Sequence, residues 1–148
     1  MPLKDVTVTI DIKKPSGLTG LTGLGTPLIL AEGTTQSFKS YADITAVEKD
    51  FANTTDAYKA AKQVFEQGDT RPSKVAIATF NPGATTPITA ADTLEKYFDE
   101  DWYFVSLATG AVTDFIAVSD VVEGKGFKTA AHTVDSIEDL TTISAKKI

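Results

Sequence analysis

The chain has 148 residues, 42% of them hydrophobic and 23% charged, a balance that fits a globular domain with one core. A net charge of −6 with scattered lysines gives no phosphate-tracking groove, so nucleic acid is not an expected partner. Cysteine is absent, which removes disulfides, thiolate nucleophiles and cysteine-held metals; no apolar run approaches the ~20 residues of a bilayer span, and Met1 to Asp5 lack the layout of a signal peptide, so neither membrane insertion nor secretion is expected.

Val6-Thr7-Val8-Thr9-Ile10-Asp11-Ile12 alternates apolar and polar residues, the pattern of a half-buried strand, with Val6, Val8, Ile10 and Ile12 on one face. Residues 13–27 follow with four of the chain's ten glycines, Gly17, Gly20, Gly23 and Gly25, and are expected to act as a connector. Residues 1–26 are therefore taken as an arm and its Gly/Thr-rich connector. Residues 27–31 form the first core strand, a short apolar run bracketed by Pro27 and Gly33. Thr34 to Tyr41 is expected to be polar connection. A helix runs from Ile44 to Phe51 with Asp43 as its N-cap, and a second from Ala57 to Gln67, stopped by Gly68.

Lys74 to Phe80 is the second strand, followed by the loop Asn81-Pro82-Gly83-Ala84. Thr89 caps a helix to Phe98, with Asp92 completing a loose capping box. Trp102 to Ala108 is the third strand, Val112 to Glu123 a helix, Phe127 to Thr133 a fourth strand, and Ser136 to Leu140 the start of a further helix. Strands alternating with helices predict an α/β fold over residues 27–148: three layers, a mainly parallel sheet with helices on both faces, plus the extended N-terminal β arm. The domain either closes with the last helix or is the front part of a longer product.

Few residues carry a case for chemistry. The glycines at 17–25 precede a strand instead of opening a helix after one, and no Gly-Lys-Ser/Thr element exists, so a nucleotide site is not expected there. His132, the single histidine, falls near the C-terminal end of the fourth strand, where open α/β sheets place ligands. The hydroxyls Thr79, Ser106 and Thr109 follow or end strands without a nucleophile-elbow pattern. Asp99-Glu100-Asp101 and Glu138-Asp139 read as a solvated turn and a helix first turn, lacking the ligand periodicity of a calcium loop. Trp102-Tyr103-Phe104 reads as core, the middle ring facing the other side. The sequence thus predicts no catalytic, cofactor-binding or metal-binding residues and no cofactor.

Taken in order, several segments resemble the N-terminal part of tail sheath proteins of contractile-tailed bacteriophages and prophages. These are Val6 to Ile12 with its Gly/Thr stretch, Thr26-Pro27-Leu28-Ile29-Leu30, Ser40 to Ile44, Val47 to Phe51, Tyr58 to Gln67, and Arg71 to Ala78. The resemblance implies a structural virion protein, located in the tail and in the host cytoplasm during assembly. Its partners would be further copies of itself, in rings or a lattice, and the tail tube protein; no active site is implied. It also implies β-strand exchange between subunits, with Val6, Val8, Ile10 and Ile12 as the arm's interface residues. The length departs from the family, whose members run to several hundred residues and carry a C-terminal arm. The alternative reading is a small α/β ligand-binding module or enzyme, with its site at the C-terminal strand edge around Phe80-Asn81, Thr109-Gly110 and His132.

Overall fold

The computed structural model describes residues 25–68, 71–133, 138–139 and 141–142. Two strands form its centre, β1 (Pro27–Glu32) and β3 (Val75–Phe80). Leu28 to Ala31 and all of β3 are buried, as strands covered on both faces must be. They pair in parallel, with Ile29 opposite Ile77. β4 (Phe104–Leu107) pairs in parallel with the other side of β1, and β5 (Thr129–Ala130) with β4. β2 (Ser37–Tyr41) runs antiparallel along β3, so the sheet order is β2-β3-β1-β4-β5. The fold is α/β, built on a five-stranded, mostly parallel sheet.

Helices cover both faces. On one, α1 (Ile44–Glu48) and α2 (Asp56–Phe65) bring Val47, Ala57, Ala61 and Phe65 onto Ile29, Ala31, Val75 and Ile77. On the other, α3 (Ala90–Lys96) and α4 (Val112–Lys125) bring Ala90, Leu94, Val118 and Val122 onto Leu28, Leu30, Ala76 and Ala78. Alternate residues of each central strand thus enter different cores, which is what makes three layers. The chain goes from β1 to β3 over the first face, then returns past β1 to β4 over the second. A right-handed crossover that reverses direction must change face, and the reversal leaves a crevice between the C-terminal ends of β1 and β4.

The helix starts follow the capping pattern read from sequence. Asp43 accepts the Ala46 N–H at 2.8 Å, and Thr89 accepts the Asp92 N–H at 3.1 Å while the Asp92 carboxylate accepts the Thr89 N–H at 3.0 Å. Four expectations need correction. Thr34 to Tyr41 is not only connection: it contains β2. That strand has little apolar content because polar contacts hold it. Gln36 donates to the buried Thr93 hydroxyl at 3.0 Å, Ser37 and Thr79 share a hydroxyl contact at 2.7 Å, and Tyr41 donates to Asp50 at 2.9 Å. The helix from Ile44 ends at Glu48, where the Asp50 and Phe51 N–H groups both turn back to the Val47 carbonyl. The third strand, expected from Trp102 to Ala108, covers Phe104 to Leu107. The strand expected from Phe127 to Thr133 shrinks to Thr129–Ala130, because Gly126 (φ 71°) and Phe127 (φ 68°) are both left-handed and cannot join a pleated ladder.

Residues 138, 139, 141 and 142 are helical, in the stretch where a further helix was expected. Among the described residues, no helix is long and apolar enough to cross a membrane.

Candidate functional site

The crevice between β1 and β4 opens into a cavity of about 800 Å³. α2 supplies Ala60, Gln63 and Val64; the end of β4 and the loop after it supply Ser106 to Gly110; Val112 and Phe115 of α4 line it too, with Thr133 and Asp139. Two of the three hydroxyls noted in sequence, Ser106 and Thr109, line it together with Gly110. Thr79 does not. It is buried elsewhere, donating to the Thr35 carbonyl at 2.6 Å, and is part of the fastening of β2.

The cavity has several polar side chains but little charge to offer. Asp139 is the one charged side chain among its described lining residues. The N-terminus of α4, which faces the crevice, already holds a carboxylate of its own, since the Ala111 N–H donates to Asp114 at 3.0 Å. Gly110 is pinned beneath it: a Cβ there would stand 2.8 Å from Leu107 Cδ2 and 3.5 Å from Asp114.

His132 lies just beyond β5 and is not a lining residue. Its ring stacks on Phe115, with centroids 4.9 Å apart, and its Nε2 is 3.2 Å from Ser119 Oγ. Burial lowers the imidazole pKa, so the neutral form is favoured. Among the described residues its buried Nδ1 has no hydrogen-bond partner, so none of them orients the ring as the carboxylate of a catalytic triad does. Ser119 sits in the body of α4, not on a strained strand-to-helix turn.

The remaining candidates separate in space. Asn81, at the end of β3, donates to the Thr34 carbonyl at 2.8 Å and accepts the Gly83 N–H at 3.1 Å, so it shapes its own loop. Asp99, Glu100 and Asp101 are exposed in the turn after α3, and Lys128 lies among them. No group of three or more His, Asp or Glu among the described residues could hold a metal ion. Of the three aromatics at 102–104, only Trp102 is fully buried, edge to face with Phe98; Tyr103 and Phe104 are half-buried against each other, which corrects the expectation that all three enter the core. Val6, Val8, Ile10 and Ile12, and with them Gly17, Gly20 and Gly23, lie outside the described residues.

One feature escaped the sequence reading. Phe127 is 96% exposed and left-handed, displayed in the short turn Gly126-Phe127-Lys128 between α4 and β5. The signal was present in the flanking glycines, which disfavour a strand start. The turn is fastened from one side: Lys128 donates to the Phe98 carbonyl and, at 2.8 Å, to the Glu100 carbonyl, and its Nζ stands 3.9 Å from the centroid of the Trp102 ring.

The sheet also ends in two strands whose outer edges pair with no other described strand, β2 with five residues and β5 with two. Comparison with known proteins adds no relative: no family model matches this sequence, and no curated protein matches it.

Proposed function

We propose that this chain is a structural assembly protein, a tail sheath subunit of a contractile phage tail or a sheath-like fragment of one. It acts through contacts between copies around the tail tube instead of through catalysis. The family resemblance motivates the particular assignment. The structural observation that supports it is the outer edge of β2, a five-residue antiparallel strand that pairs there with no other described strand and whose outer backbone groups would offer a template for an added strand. The arm residues Val6, Val8, Ile10 and Ile12 of a neighbouring copy have the alternation such an added strand needs. The protein belongs, on this reading, in the virion tail, after assembly in the host cytoplasm.

Removal of residues 1–12 tests it. The full chain is expected to form rings or rods, alone or on a tail tube, visible by electron microscopy, and the shortened chain is expected not to. Equal assembly by both would overturn strand exchange. The cavity supports a second reading, a small ligand-binding module; native mass spectrometry showing a small molecule retained by the purified chain would favour it over assembly.

A further inference from the structure

Two features at opposite ends of α4 fit each other and cannot meet within one molecule. Phe127 follows its C-terminus, at the edge where the parallel strands begin, while the cavity lies at its N-terminus, where they end. Fourteen residues of helix separate them by about 20 Å. We propose that Phe127 of one copy of this chain seats in the crevice cavity of the next, joining copies head to tail.

Three observations carry this. A large aromatic held almost wholly in solvent, in a backbone region that bulky residues avoid, is displayed at a cost that a buried destination would explain. The display is fastened, since Lys128 is tied to the Phe98 and Glu100 carbonyls and packed on Trp102, so the ring is presented on a rigid turn and loses little freedom on docking. The destination exists: a cavity of about 800 Å³ with walls from Ala60, Val64, Leu107 and Val112 accommodates a phenyl ring.

A knob and a socket on opposite ends make a heterologous contact, which builds rings or filaments with a direction, unlike a self-complementary dimer. The contact is separate from strand exchange and does not rest on it.

Sedimentation velocity of the full chain over a concentration series tests it. Wild type is expected to grow past dimer, and Phe127→Gly and Gln63→Trp, which removes the knob or fills the socket, each to weaken association by about tenfold or more. Gln63 is exposed on α2, so its substitution leaves the fold intact, which thermal melts check. An equimolar mixture of the two variants is expected to stop at a heterodimer, because one brings only the socket and the other only the knob. A wild-type chain that stays monomeric, a Phe127→Gly chain that associates as wild type does, or a mixture that gives no heterodimer would each overturn the contact. So would a Gln63→Trp chain with a lowered melting midpoint and unchanged association, which would assign the cavity to the chain's own remaining residues. The arm variant Val8→Asp/Ile10→Asp keeps the two readings apart. Association lost there and kept in Phe127→Gly leaves strand exchange standing and this contact overturned; the reverse supports the contact and overturns strand exchange.

Discussion

A phenylalanine with φ of 68° and 96% exposure contributes nothing to the core of its own molecule. Left-handed backbone costs a residue with a Cβ about 1–2 kcal/mol, and glycine's extra freedom in the unfolded chain takes back about 0.5–1 kcal/mol of the relief. Phe127→Gly is therefore expected to raise the stability of the monomer by about 0.5–1 kcal/mol, read as a higher midpoint in chemical denaturation; a destabilised variant would show that the ring packs on its own domain. His132 gives a pH dependence of known sign. Its folded pKa lies below the ordinary value because burial disfavours the imidazolium, so on acidification the unfolded chain takes up the proton first. Stability from this group is complete above the unfolded pKa of about 6.5 and falls as the pH drops below it. The loss of melting temperature between pH 7 and pH 5 is expected to be smaller in His132→Gln than in wild type, and equal losses would remove His132 from the account. The lowered carboxyl pKa values of Asp50, bonded to Lys39 and Tyr41, and of Asp92, bonded to Thr89, have the same sign but act at lower pH, so the two contributions separate.

At the scale of elements, β2 shows most clearly what patterning reveals and what it does not. The central strands were legible because burial on both faces demands continuous apolar runs, and Leu28 to Ala31 and Val75 to Phe80 are such runs. The capped helices were legible because Asp43, Thr89 and Asp92 satisfy backbone groups within three residues in sequence. β2 was not, because most of what fastens it lies far away in sequence: Thr79 is 42 residues from Ser37, and Thr93 and Lys96 are 57 and 60 residues from the adjoining Gln36, while the bonds of Lys39 and Tyr41 to Asp50 are local. The cavity was half legible, since Thr109-Gly110 could be placed at a strand end, but α2 joins it only through the three-dimensional fold. The same reasoning makes β2 fragile in a specific way. Thr79→Val leaves Ser37 and the Thr35 carbonyl without their hydroxyl partner inside the sheet, and is expected to lower stability by about 1–3 kcal/mol. Hydrogen exchange is expected to speed up in β2 well before β3; uniform acceleration across the sheet would show instead that β2 opens only with the whole domain.

For the whole molecule, the parallel arrangement has the largest reach. Four strands begin on one edge and end on the other, so the two edges differ in what they present: a fastened aromatic turn on one, a crevice on the other. An antiparallel sheet would mix the two kinds of terminus. Assembly through this domain is accordingly expected to be polar, with subunits all facing one way along a ring or rod, which class averages of assembled particles would display; particles built from back-to-back pairs would contradict it.

Gly25 adds a geometric constraint of another kind. It is left-handed at φ 72°, and a Cβ in its place would stand 2.8 Å from Tyr103 Cβ, so backbone and strand end are in direct contact where the chain enters β1. The exit vector of everything before residue 25 is thereby fixed at the N-terminal edge of the sheet. Counted from that point, the 13 residues back to Ile12 can span at most about 45 Å, against a radius of gyration near 14 Å for a domain of about 120 residues. On the assembly reading proposed above, a segment of that length measured from Gly25 is long enough to reach beyond its own domain.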